Sequence, residues 1–138
     1  NQQGVVGHMK ITEMELPARA DLLGVVRLAV AGAGHVSRFN LDELEDLKLI
    51  VAEACYQVFE GGVGINCRLQ IRTCLSSDTT RVIVSLVHGD TEREASHGLS
   101  QGLGLTLLKH LVDEISFHSN RRMTVLEMTR LRVRPSLN

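Results

Sequence analysis

Tryptophan is absent from this chain of 138 residues, proline occurs twice, and aromatic residues make up 3% of it. No apolar run approaches the roughly 20 residues that a helix needs to cross a bilayer. The formal net charge is −1, so no excess of positive charge would attract nucleic acid or an anionic membrane surface. We therefore expect neither a membrane span nor direct binding of nucleic acid.

Cysteine is also scarce. Cys55, Cys67 and Cys74 are odd in number and lack the spacing of metal ligands, which favours buried thiols of a reduced, cytoplasmic protein over disulfides. The six histidines form no paired metal-binding motif. Residues 1–9 look like the remnant of an expression tag. The chain is 43% apolar, and residues 10–138 are expected to form a single domain with one core.

Apolar residues recur with the periods of helices and strands along most of the chain. They predict strands at residues 10–16, 64–76, 81–88, 115–118 and 123–133, helices at 19–33, 41–59 and 104–115, and a polar loop at 89–101. Gly32 and Gly34 are predicted to end the first helix. Each helix has one apolar stripe and each strand one apolar face. We therefore expect an α/β two-layer sandwich, with helices on one face of a mostly antiparallel sheet.

The segment 41–61 is the clearest helix. Its apolar stripe consists of Leu44, Leu47, Val51, Ala54 and Val58. Asn40 and Glu43 are placed to form a capping box at its start. Glu53 and Gln57 lie one turn apart on the flank of the stripe, so both can reach one ligand. The two side chains either line a pocket or form an ordinary solvated flank, and spacing alone favours the solvated flank.

A pair of glycines opens the helix predicted after the polar loop. The segment GLGLTLLKHLVDEI begins at Gly102, and Gly104 follows two residues later. Glycines at such a junction let backbone N–H groups approach phosphate oxygens, and the helix dipole favours an anion there. Thr106 adds a hydroxyl on the first turn. Lys109 either reaches an anion or lies in solvent, and the solvated position is favoured.

These two helices together resemble those of the GHKL (histidine-kinase and Hsp90-like) ATPases, and among them the bacterial anti-sigma factors with serine/threonine kinase activity. The matching residues are Glu45-Asp46-Leu47-Lys48, Glu53-Ala54, Gly102-Leu103-Gly104-Leu105 and Leu111-Val112-Asp113-Glu114, and the match in element order extends from Lys10 to Arg134. The resemblance implies the Bergerat ATP-binding fold with ATP and Mg²⁺ as cofactors. It also implies a sigma factor and an anti-anti-sigma protein as partners, and a homodimer.

The resemblance also assigns roles to individual residues. It implies that Glu53 is the catalytic carboxylate and that Gln57 stands where the family has a magnesium-binding asparagine. The amide of Gln57 is one methylene, about 1.5 Å, further from the backbone. Phosphate contacts are implied for five consecutive residues of the glycine-rich segment: Gly102, Leu103, Gly104, Leu105 and Thr106.

The family recognises adenine through the aspartate of a D-x-G motif at the end of the strand before the loop. If Gly89 is the glycine of this motif, Val87 replaces the aspartate, and Asp90 is the available substitute. Two departures from the family, Gln57 and Val87, leave two hypotheses open. One is an active kinase, and the other is a catalytically degenerate, protein-binding regulator with weak or no ATP binding. An unrelated small α/β domain is the third alternative.

Arginines near the end of the chain are a further feature. Arg121, Arg122, Arg130, Arg132 and Arg134 are predicted to form a basic patch. Because no aromatic residues lie between them, the arginines favour solvated strand edges, or a docking surface for an acidic protein, over an RNA-binding surface.

Overall fold

The computed structural model describes residues 9–89 and 102–132. In chain order the elements are β1 (Lys10–Pro17), a 3-10 turn (Ala20–Leu22), α1 (Leu23–Val36), α2 (Leu41–Phe59), β2 (Arg68–Leu75), β3 (Thr79–Val87), α3 (Leu103–Leu111), β4 (Glu114–Ser119) and β5 (Met123–Leu131). The strands form one sheet in the order β1-β2-β3-β5-β4, and every neighbouring pair is antiparallel. The predicted two-layer α/β sandwich is confirmed.

The two faces of the sheet differ in chemistry. The inner face packs against the helices, and its central residues include Leu69, Val84 and Leu126, each with 0% exposure. The outer face carries ion pairs between neighbouring strands, such as Arg68 with Glu15 at 2.9 Å. This alternation follows from the strand period of two residues, which sends successive side chains to opposite faces. It is the alternation predicted for the second strand.

The start of α2 is tied to the end of β5. The predicted capping box is present, since the Asn40 side chain accepts from the Glu43 N–H and the Glu43 carboxylate accepts from the Asn40 N–H. Glu43 also accepts from Arg132 at 2.7 Å, and one turn further on Asp46 accepts from Arg130 at 2.7 Å. These contacts fix the first turns of α2 against the sheet.

The predicted basic patch is therefore wrong. Arg130 and Arg132 are neutralised by carboxylates of α2, whereas Arg121 and Arg122 lie in the turn between β4 and β5. The nine residues of β5 separate the two pairs by about 30 Å. Arg134 lies outside the described residues.

The first helix begins and ends later than predicted. It begins at Leu23, after the 3-10 turn, and continues through Gly32 and Gly34 to Val36. A Cβ on Gly34 would lie 2.7 Å from Leu44 Cδ2 and 3.3 Å from a methyl carbon of Leu47. This glycine lets α1 approach α2 closely and does not end the helix.

Element ends elsewhere also differ from the predicted bounds. β2 begins at Arg68 and not at residue 64, because Asn66 adopts a positive φ of 66° and the chain turns there. Helix α3 ends at Leu111, short of residue 115. Asp113 already belongs to the sheet edge, since its N–H donates to Thr129 O and its carboxylate accepts from the Leu131 N–H.

Several predictions fall wholly or partly outside the described residues: the tag remnant (1–8), the polar loop (90–101) and the last residue of the final strand (133). Within the described part, no helix is long and apolar enough to cross a membrane. All three cysteines are buried and form no disulfide, as expected. Burial raises the pKa of the Cys55 thiol to about 12.

Candidate functional site

Two polar side chains of α2 converge on the first turn of α3. A Cβ built on Gly104 would lie 2.5 Å from Glu53 Oε1 and 3.7 Å from Gln57 Nε2. Gln57 is 7% exposed, and Glu53 is half-buried. The solvated-flank interpretation that spacing favoured is therefore wrong. The carboxylate and the amide lie in a cleft between two helices, where glycine leaves room for them.

The first turn of α3 presents backbone donors at this cleft. The first N–H that bonds within the helix is that of Thr106, which donates to Gly102 O at 3.0 Å. The N–H groups of Leu103, Gly104 and Leu105 precede it and have no acceptor within the helix. No side chain caps the helix among the described residues. Together with the helix dipole, these donors favour an anion at this position.

The side chains of this turn contribute less than the backbone. Leu103 is 88% exposed, and Leu105 is 3% exposed and packs inward. The Thr106 hydroxyl donates to Gly102 O at 3.0 Å. Because phosphate oxygens only accept hydrogen bonds, the predicted contact of this hydroxyl with a phosphate requires that bond to break.

The residues that follow β3 pack closely against the loop that follows α2. A Cβ on Gly89 would overlap the backbone carbonyl oxygen of Ile65 and would lie 2.9 Å from Asn66 Cβ. Glycine at this position is thus required by the close approach of two backbone segments. Asp90, the predicted substitute for the base-binding aspartate, lies outside the described residues.

The strand leading to Gly89 sends Val87 and His88 to opposite faces. Val82, Val84 and Leu86 lie in the core on the inner face, so Val87 lies on the outer face, opposite Arg68 and Met123 in the register.

His88 continues the inner face. Its N–H donates to Arg122 O at 2.9 Å, and its Nε2 lies 3.4 Å from Oγ1 of the fully buried Thr124. The imidazole thus lies on the side of the sheet that the helices cover, as the alternation along β3 predicts.

Comparison with known proteins agrees with this geometry. Residues 16–130 match the family model described as the histidine kinase-like ATPase domain. The chain belongs to this family. A serine-protein kinase RsbW of Bacillus cereus (strain AH187) is 30% identical over 129 residues, covering 83% of this chain and 81% of that protein. A serine-protein kinase RsbW of Bacillus pumilus (strain SAFR-032) is 28% identical over 133 residues, covering 83% and 82%. The resemblance drawn from the two helices is confirmed.

The residues of the cleft fit the groups that a histidine kinase-like ATPase uses. The N–H groups at the start of α3, which have no acceptor within the helix, suit phosphate oxygens, and the carboxylate and amide oxygens of Glu53 and Gln57 are the hard ligands that Mg²⁺ prefers. Within residues 9–89 and 102–132, no three His, Cys, Asp or Glu side chains gather into a metal site.

Cavity size does not identify this site. A cavity of about 500 Å³ lies on the outer face of the sheet beside Glu13, Glu15 and Arg72. Another, of about 710 Å³, lies beside Lys10 and Arg38. Neither contains the carboxylate, the amide or the glycine of the cleft. The convergence of two helices, and not volume, distinguishes the site.

Proposed function

We propose that this chain is an anti-sigma regulatory factor whose ATPase domain binds Mg-ATP and phosphorylates a serine or threonine of an anti-anti-sigma protein. The observation that carries the proposal is the convergence of Glu53 and Gln57 on Gly104. The names of the RsbW relatives, serine-protein kinases, agree with it. Partner choice between the sigma factor and the anti-anti-sigma protein would then control transcription.

Each part of the cleft has a role in this proposal. ATP, when bound, supplies the transferable phosphoryl group. The N–H groups at the start of α3 hold its phosphate oxygens, with Gly102 and Gly104 allowing close approach. Glu53 accepts the proton of the attacking hydroxyl at its carboxylate. Gln57 contributes an amide oxygen to Mg²⁺.

The remaining assignments carry over from the family resemblance as proposals. They comprise a homodimer, a cytoplasmic location, and phosphate or base contacts from Gly89, Asp90 and Thr106. A protein that acts through protein partners needs neither a membrane nor direct contact with nucleic acid, which agrees with the absence of excess positive charge in the chain.

A second candidate function keeps the partners and omits catalysis. Gln57 favours it. Its side chain is one methylene longer than that of the family's asparagine, so the amide oxygen is displaced, and Mg²⁺ tolerates displaced ligands poorly. The side chain is also 7% exposed, so the surrounding protein restricts its adjustment. In this alternative the chain binds its partners but transfers no phosphoryl group.

The test combines calorimetry with a phosphotransfer assay. Wild type, Glu53→Gln and Glu45→Gln are titrated with Mg-ATP and then incubated with labelled ATP and an anti-anti-sigma protein. Glu45 lies on the same helix, is exposed, and pairs with Lys48, so it is the matched control.

We expect Glu53→Gln to retain nucleotide binding and to lose phosphotransfer by at least about 100-fold, with Glu45→Gln unchanged. Weak or absent nucleotide binding by the wild type, or binding without transfer, favours the second candidate. Absence of nucleotide binding refutes both the kinase activity and the nucleotide site.

A further inference from the structure

We propose that a basic cavity at one end of the domain binds a phosphate dianion, either the free ion or the phosphate group of a small ester. The cavity has a volume of about 710 Å³ and is lined by Lys10, Val36, Ser37, Arg38, Ser76, Ser77 and Arg132. Helix α2 begins beside it, and the axis of the helix runs about 24 Å from Leu41 to Gln57. The inference is therefore independent of the proposed nucleotide cleft.

Three segments of the chain form the basic cavity. Lys10 begins β1 and pairs with Leu75, the last residue of β2. The turn from β2 to β3 follows, and its Ser76 O accepts from Arg132 at 2.7 Å. Arg38 lies in the connection between α1 and α2. Strand pairing and helix packing thus bring together cations that are far apart in the sequence.

The backbone of Arg38 is the first argument for a use of its side chain. Arg38 has a φ of 62°. Its N–H donates to His35 O, and the N–H of Phe39 donates to Gly34 O, both at 3.0 Å, which are the two hydrogen bonds of a Schellman motif. Glycine is the usual residue at this left-handed position, because a Cβ is disfavoured there. An arginine at a backbone position that disfavours it points to a function of the side chain.

The charge of the cavity is the second argument. The arginines of β2, β3 and β5 each pair with a carboxylate, and Arg132 pairs with Glu43. Lys10 and Arg38 are exposed and take part in none of the ion pairs between described residues. Their two positive charges match a phosphate monoester, which carries about −1.5 to −2 at neutral pH, whereas a carboxylate carries a single negative charge.

The negative groups near the cavity are engaged elsewhere. Glu43 accepts from Nε and Nη2 of Arg132, at 2.7 and 2.9 Å. In the turn, Asp78 accepts from Ser76 Oγ at 2.9 Å. The last carbonyl groups of α1 accept from the three N–H groups that follow the helix, which partly compensates the negative end of its dipole. An anion in the cavity therefore meets mainly cations and donors.

The size of the cavity favours an ester over the free ion. Sites for small organic molecules have volumes of about 300–1,000 Å³, and the basic cavity is within this range. The phosphate group would lie between the two cations, with the exposed hydroxyl of Ser77 as a further donor. Val36, which is 61% exposed, provides an apolar wall for the organic part.

The experiment localises binding by NMR. Wild type, Arg38→Gly, Lys10→Gln and Arg19→Gln are titrated with glucose 6-phosphate, inorganic phosphate and gluconate, at constant ionic strength and in a buffer without phosphate. Amide shifts of the lining residues report on the basic cavity, and those of residues 102–106 report on the cleft. Arg19→Gln is the matched control, because it removes one positive charge from an exposed ion pair beyond the other end of β1.

We expect glucose 6-phosphate to shift the amides of the basic cavity and to bind at least about tenfold more tightly than gluconate, because the ester has about twice the charge. Arg38→Gly and Lys10→Gln should each weaken this binding by about fivefold or more, whereas Arg19→Gln should leave it within about twofold. Tighter binding of glucose 6-phosphate than of inorganic phosphate assigns the cavity to an ester, and equal affinity assigns it to the free ion.

Arg38→Gly also separates binding from folding. Glycine suits the left-handed backbone at this position, so the urea midpoint of unfolding should stay equal or rise while phosphate binding weakens. If the midpoint falls instead, Lys10→Gln remains the test of the cavity. The proposal is overturned if no amide of the cavity shifts, if the shifts are confined to residues 102–106, or if neither substitution changes the affinity.

Discussion

Replacing Arg132 by alanine removes the contact that fixes the start of α2. The guanidinium donates to both carboxylate oxygens of Glu43, at 2.7 and 2.9 Å, and to Ser76 O at 2.7 Å. Its carbon lies 4.3 Å from the centroid of the Phe39 ring. The side chains of the pair are 14% and 19% exposed, so solvent screens their attraction less than at the surface.

The expected loss of stability follows from these contacts. A hydrogen bond to a charged group contributes about 1.5–3 kcal/mol, and the cation–π contact adds about 0.5–1 kcal/mol. Water can hydrogen-bond to part of the Glu43 carboxylate once Arg132 is gone, which offsets some of this loss. We therefore expect Arg132→Ala to lower the free energy of unfolding by about 2–4 kcal/mol. Arg19 provides the matched control, because its ion pair with Asp21 is 64% and 62% exposed and should contribute less than about 0.5 kcal/mol.

The loss should also depend on pH. The hydrogen bond from Arg132, and to a lesser extent the one from the Asn40 N–H, holds the pKa of Glu43 below its ordinary value. A depressed carboxyl pKa stabilises the fold above the unfolded pKa of about 4.3, and this contribution disappears as the pH falls through the folded pKa. The difference between wild type and Arg132→Ala should therefore be constant at neutral pH and shrink below about pH 4.

Urea denaturation of wild type, Arg132→Ala and Arg19→Ala at about pH 7 and again below about pH 4 measures both effects. A double-mutant cycle with Glu43→Gln isolates the pair from the contact with Phe39. The reasoning is refuted if Arg132→Ala costs no more than Arg19→Ala, or if its cost is the same at both pH values.

Four further outcomes are expected. Gly104→Ala should fold normally but displace the Glu53 carboxylate, 2.5 Å from the new Cβ, and slow phosphotransfer by about 10- to 100-fold in the labelled-ATP assay. Gly32→Ala, whose Cβ meets nothing within 4 Å, should raise the free energy of unfolding in urea by about 0.5–1 kcal/mol. Gly89→Ala should lower it by about 1–3 kcal/mol, because its Cβ meets backbone that cannot move freely. Cys55 should resist iodoacetamide at neutral pH until the protein unfolds, as mass spectrometry would detect, because burial raises its pKa to about 12.

The fold was predictable because each element satisfies a local rule. The capping box of Asn40 and Glu43 marks the start of α2 within the sequence itself, and both of its hydrogen bonds are present in the structure. Alternation along β2 and β3 determines which residues face the helices, and the buried residues of both strands follow it except Cys74 and Ser85, each 8% exposed. These signals act over a few residues, so a single sequence contains them completely.

Contacts between distant residues were not predictable in this way. The partners Asp46 and Arg130 are 84 positions apart, and Glu43 and Arg132 are 89 apart. Neither spacing nor composition distinguishes these arginines from solvated ones, which is why a basic patch was expected. Gly34 gave a similar error, because glycine ends some helices and lets others pack closely, and only the neighbouring helix decides between the two.

The candidate site was predictable in part, because it combines a local signal with a contact between distant residues. Helical spacing placed Glu53 and Gln57 on one side of α2, but only tertiary packing could reveal that Gly104 faces them. If Gly89 is the glycine of the D-x-G motif, Val87 replaces the aspartate, and the register of β3 places Val87 on the face away from the helices.

Helix α2 connects these observations to the choice between the two proposed functions. Its first turns are bound to β5 through Glu43 and Asp46, and the loop after its last turn is packed against Gly89. A helix restrained at both ends cannot slide or rotate freely to absorb the extra methylene of Gln57. The displacement must then appear at the metal position or at the phosphates, which is where phosphoryl transfer is most sensitive to geometry. In the proposed site, nucleotide binding would depend mainly on the backbone of α3 and would persist. In the proposed function, nucleotide binding and phosphoryl transfer are therefore separable, and Gln57 is the side chain that would decide whether transfer occurs.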